Sequence, residues 1–142
     1  MNTKQFMIGT AQYTKQKESG NFQRVKESFL IPALSFTDGE TFMYGRVAEG
    51  IRGEFIVQSL ATEQVDGIFY ADKEVQDAWY KCKATTPDPD SDKDKNINLV
   101  YYVNADSVKK ATETLELELR GLWSESEIKS VVISKIVDVF ED

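Results

Sequence analysis

The residues with most chemistry to offer lie early in the chain. Lys15, Lys17, Arg24 and Lys26 fall within a short span, and the aromatic residues Tyr13 and Phe22 flank the loop between them. Cations neutralise phosphates along a strand, and aromatic faces stack on bases at about 1–3 kcal/mol each, so this combination suits a sequence-tolerant groove for single-stranded nucleic acid. Residues 1–30 carry Lys4 and those four cations against Glu18 and Glu27, a net charge of +3, while the rest of the chain sums to −10. A plainer reading stands beside this one. Lysines collect in any solvated hairpin loop, Tyr13 and Phe22 can face a core as ordinary strand residues, and a total charge of −7 opposes a large nucleic-acid footprint.

Catalytic chemistry finds little support. The chain has no histidine, which removes Ser-His-Asp and Cys-His pairs, histidine-ligated zinc and an imidazole proton shuttle. Glu116 and Glu118 sit on the charged side of an expected helix with nothing to raise a carboxyl pKa, and no Gly-rich phosphate loop is present. Cys82 lies in an expected strand, where it reads as a small packed hydrophobe. The run Pro87-Asp88-Pro89-Asp90-Ser91-Asp92-Lys93-Asp94-Lys95 alternates acids as calcium loops do. It lacks the central glycine, however, and Leu99 stands where the bidentate glutamate belongs, so it reads as a solvated loop with a weak cation site as the alternative. No catalytic residue, metal or cofactor is expected, and the chain is read as a non-enzyme.

The end of the sequence, Phe140-Glu141-Asp142, pairs an aromatic with acids. It is similar to the acidic tails by which single-stranded-DNA-binding proteins contact replication partners, which makes these three residues candidates for partner binding. Phe140 also has an internal counterpart in Phe69, and this favours reading it as the last core residue of a strand with two charged residues trailing.

These residues must be positioned by a scaffold that occurs twice. Phe36, Gly39, Met43, Val47 and Ile51 step by three or four, as one face of a helix does, and recur seventy-two positions later as Val108, Ala111, Leu115, Leu119 and Trp123. Around each helix the pattern is the same: Phe6–Tyr13 and Phe22–Ile31, then a helix capped by Ser35 or Thr37, then Glu54–Ala61 and Val65–Tyr70. The second set is Trp79–Thr85 and Ile97–Val103, a helix capped by Asp106, then Ile128–Ser134 and Ile136–Phe140. Phe6-Met7 answers Trp79-Tyr80, and Phe55 answers Ile128. The expectation is an α+β fold made by tandem duplication of a ββαβ(β) unit. The repeats span residues 1–72 and 77–142 and pack as one compact domain, with an antiparallel-rich sheet, or two related sheets, and both helices on one face. With 142 residues, 41% of them hydrophobic, the chain can bury about two-thirds of its unfolded surface without disulfides or metal.

Several short blocks, Pro32-Ala33-Leu34-Ser35-Phe36-Thr37, Gly53-Glu54-Phe55, Gly67-Ile68-Phe69, Trp79-Tyr80-Lys81, Asn104-Ala105-Asp106 and Val137-Asp138-Val139-Phe140, resemble over nearly the whole chain the pattern of domain of unknown function 4494. That uncharacterised family occurs in Bacteroides-group bacteria and their phages, crAss-like phages included; Ala111 to Leu122 departs from its pattern. The resemblance implies a phage or mobile-element origin and a cytoplasmic or virion setting, and brings no catalytic residues. The N-terminus holds one lysine and no apolar run of seven, unlike a secretory signal, and no stretch approaches the eighteen or so apolar residues of a membrane span. Three function classes follow. The first is a single-stranded nucleic-acid-binding accessory of replication. The second is an interaction or virion-assembly protein that pairs with itself or with a phage or host protein. The third is an acidic inhibitor of a host defence protein.

Overall fold

The structure, a computed structural model, describes residues 5–90 and 95–141. Eight strands and two helices follow in the order β1 (Phe6–Gln16), β2 (Phe22–Pro32), α1 (Phe36–Phe42), β3 (Phe55–Glu63), β4 (Gly67–Tyr70), β5 (Trp79–Pro87), β6 (Asn96–Asn104), α2 (Val108–Leu122), β7 (Glu127–Ile133) and β8 (Ile136–Val139). A π-helical turn, Met43–Val47, continues α1. No helix among the described residues is long and apolar enough to cross a membrane.

The fold is α+β, with two mixed, mostly antiparallel sheets of order β3-β1-β2-β8 and β4-β6-β5-β7 in place of one shared sheet. The chain divides into two compact units. Unit 1 runs to Gln64 and takes in the segment from Lys135 on, and unit 2 is Val65–Ser134. These limits differ from the 1–72 and 77–142 of the sequence repeat because the short strands change places. β4, at the end of the first repeat, runs parallel to β6 in unit 2, and β8, at the end of the second, runs parallel to β2 in unit 1.

Within each unit the same geometry recurs. Phe6 lies opposite Pro32 as Trp79 lies opposite Asn104, and the bulge between Thr10 and Ala11 matches the one between Lys83 and Ala84. These parallels are the ones a tandem duplication calls for. The register does shift one correspondence read from sequence: Ala11 faces Val57 and Ala84 faces Ile128, so Val57, and not Phe55, answers Ile128.

Each helix covers one face of its own sheet. In unit 1 Met43 and Val47 pack on Met7, Ala11, Phe29 and Ile31. In unit 2 Ala111, Leu115 and Leu119 pack on Tyr80, Cys82, Leu99 and Tyr101. Close approach in unit 1 depends on Gly9, where a Cβ would stand 2.6 Å from the Met43 Sδ. The predicted helical stripe is buried at its middle three positions but not at its start. Phe36 and Val108, the first residue of each helix, are 65% and 51% exposed. The cap of α1 is Ser35, whose Oγ accepts from the Asp38 N–H. The cap of α2 is Ser107, one residue later than the Asp106 read from the sequence, and its Oγ accepts from the Lys110 N–H. The α1 path ends at Val47, short of Ile51, and Gly50 and Gly53 carry the exit at φ +85° and +89°.

Candidate functional site

Alternation along β1 decides which of the sequence-predicted residues meet. Met7, Ala11 and Tyr13 face α1, so Lys15 lies on that face as well, and pairing with β2 adds Gln23, Val25 and Glu27. Thr14, Gln16, Phe22, Arg24 and Lys26 therefore fall on the opposite face. The six predicted residues do not form one surface.

At the hairpin end a groove of about 300 Å³ takes residues from both faces, Tyr13 and Lys15 from the α1 side and Thr14, Gln16 and Phe22 from the other, together with Gly50, Ile51 and Arg52. Its wall on the hairpin side is the end of β1 and β2, where Gln16 pairs with Phe22 and the turn is held by the Lys17 N–H donating to the Asn21 carbonyl, with Gly20 at φ +91°. Its other wall is Ile51-Arg52, held between the two left-handed glycines. Phe22 is 70% exposed, so its ring has faces free to stack. Tyr13, Lys15 and Phe22 thus line one groove, Lys17 lies in the adjacent turn, and Arg24 and Lys26 are not among the lining residues although they share the face of Phe22.

Tyr13 forms the floor and is firmly held. Its ring lies 5.8 Å from Phe55, and Phe55 meets Tyr44 edge-on at 5.8 Å. The Tyr44 hydroxyl in turn accepts from the Val57 N–H. The Tyr13 hydroxyl donates to Glu27 Oε1, and burial first, then this bond and the carboxylate charge, push its pKa well above the usual phenol value. Lys15 Nζ lies 3.5 Å from Glu27 Oε2. On the opposite face Arg24 lies 3.6 Å from Glu54, an exposed pair that contributes little to stability. Among the described residues no ion pair holds Lys17, Lys26 or Arg52.

The other candidates fall outside the groove. Phe140 is half-buried against the core of unit 1: its N–H donates to the Leu30 carbonyl, and its ring lies 5.6 Å from Phe42 and 6.4 Å from Phe29, under the Arg46 guanidinium at 5.9 Å. That arrangement takes its ring out of an exposed tail. Glu141 is exposed, and Asp142 lies outside the described residues. Residues 91–94 of the acidic loop also lie outside them, while Asp88 Oδ1 accepts from the Asp90 N–H within a turn. Among the described residues no three acidic or cysteine side chains gather as a metal site would need. Cys82 is buried in unit 2, and burial pushes its thiol up to about 12.

Thr14, Gln16, Gly50, Ile51 and Arg52 are the groove residues that sequence reasoning missed, and Arg52 is the charged one among them. The signal for Arg52 is Gly50-Ile51-Arg52-Gly53, a cation between two turn-forming glycines. No curated protein and no solved structure matches this chain. The blocks noted above do find their counterpart, for the pattern of the domain of unknown function DUF4494 matches residues 5–142, and the chain belongs to that family.

Proposed function

We propose that this chain is a non-enzymatic binding protein whose unit 1 groove takes a stretch of single-stranded nucleic acid, in the setting of a phage or mobile-element accessory of replication. One observation carries the reading: the 70% exposed ring of Phe22 stands at an open groove whose cations are Lys15 and Arg52, with Lys17 in the next turn. A base stacks on Phe22 while flanking phosphates meet Arg52 and Lys17, a combination that tolerates any sequence because every base has a flat face. The groove's size fits one or two nucleotides, so affinity is modest and falls with salt.

The test is fluorescence anisotropy with a labelled oligothymidylate at low salt. Binding is expected to weaken about tenfold in Phe22→Ala and several-fold in Arg52→Gln. Absence of binding by the unaltered protein at low salt overturns the reading. The competing reading, an assembly protein, draws support from Val132 and Ile133, both exposed on the edge strand β7. Concentration-dependent self-association in light scattering, without oligonucleotide binding, would put that reading in its place.

A further inference from the structure

Resting on the groove reading above, we propose that Glu27 is the groove's own competing anion, which holds Lys15 away from a bound phosphate and so sets the affinity of the site. Its side chain is only 17% exposed, while that of Lys15 is 57% exposed. A carboxylate so withdrawn from water depends on its partners, and Glu27 has two: the Tyr13 hydroxyl, which donates to one oxygen, and the Lys15 ammonium, 3.5 Å from the other. While Lys15 serves Glu27 it lines the groove without offering it a net positive charge.

The scaffold does not demand a carboxylate here. Glu27 lies opposite Ala11, and the matching pair in unit 2 is Leu99 opposite Ala84. Leu99 is buried in the unit 2 core, so an apolar side chain satisfies the same position of the same sheet geometry. Thr86 stands where Tyr13 does and Asp88 where Lys15 does, counting along β5 from Trp79 as along β1 from Phe6. The tyrosine, glutamate and lysine cluster of unit 1 is not repeated at the matching positions of unit 2. Its chemistry acts on the ligand: a phosphate at the hairpin end meets Arg52 unopposed, but must take Lys15 from an internal acceptor already in place.

The experiment is a cycle of Glu27→Gln and Lys15→Gln in the full chain, with labelled oligothymidylate binding followed across a salt series. Glutamine keeps an acceptor for the Tyr13 hydroxyl and removes the charge. Glu27→Gln is expected to tighten binding about three- to tenfold and to steepen the salt dependence by about 0.7 in slope, one further phosphate contact on a single strand. In the Lys15→Gln background the same change is expected to bring neither effect. Glu27→Leu, the residue unit 2 carries at this position, provides a second variant if the glutamine protein folds poorly. An equal gain with and without Lys15 means diffuse charge and overturns the proposal, as does no gain in either background. Should neither the unaltered protein nor Glu27→Gln bind at low salt, the groove itself falls as a nucleic-acid site and the proposal with it.

Discussion

The turn end of the β1–β2 hairpin and the turn end of β5–β6 are built on one plan and equipped for different ends. Counting from the same paired residues, Tyr13, Lys15, Arg24 and Lys26 in unit 1 correspond to Thr86, Asp88, Asn96 and Asn98 in unit 2. Every cation has become neutral or acidic. The floor changes as well: Thr86 is buried, and its hydroxyl donates to the carbonyl of Glu125 at 2.6 Å, tying the segment after α2 to the hairpin. In unit 1 the segment after α1 carries Arg52 between two left-handed glycines and lines an open groove. Since register, bulge and helix placement are shared, the difference lies in the side chains set on the common framework. A surface that differs where the scaffold is the same is where function is to be sought.

Three changes sharpen or break that comparison, and the largest effect is expected in the cores. Met43→Ala in unit 1 and Leu115→Ala in unit 2 each remove a fully buried side chain beneath the sheet, and each is expected to cost about 2–5 kcal/mol in urea unfolding. Trp79 and Trp123 both lie in unit 2, so their emission reports that unit while circular dichroism reports the whole. A cost below about 1 kcal/mol at either site would show that the likeness of the two cores is one of outline only.

A smaller effect is expected at the tie that unit 1 lacks. Thr86→Val keeps the shape and deletes the hydrogen bond to Glu125, at a cost of about 0.5–1.5 kcal/mol by denaturant midpoint. A neutral result would mean that the two hairpin ends differ in charge alone.

The smallest effect at neutral pH belongs to Cys82. Its thiol is pushed up from 9.0 to about 12 by burial, so the folded state favours the protonated form. The stability linked to this group is therefore fully present below pH 9 and is lost as pH rises from about 9 towards 12. A thiol reagent at pH 8 should react with the folded protein no faster than the protein opens. Rapid modification would place Cys82 in a looser core than the one seen.

Much of the scaffold was legible beforehand. The strands were found within a few residues because each alternates apolar and polar side chains between turn-forming or proline punctuation, as in Phe22–Pro32. Ser35 announced the start of α1, and the buried steps Gly39, Met43 and Val47 were visible in the spacing. The site was legible only in part. Which cations share a face with Tyr13 depends on the pairing register of β2 with β1, and Arg52 reaches the groove by a turn that lies thirty residues along the chain from Phe22.

Local pattern alone therefore determined the elements, their twofold recurrence and the cap of α1, because hydrophobic period and turn chemistry act over a few residues. The exchange of β4 and β8 between the sheets was a matter for the tertiary structure. Phe69 packs beside Tyr101, and Phe140 beside Phe29, the residue matching Tyr101 in unit 1, so two short strands of like pattern suit either edge, and only the path of the whole chain assigns them. The same holds for the groove, whose phenylalanine, lysine and arginine come from three segments brought together by packing around a helix.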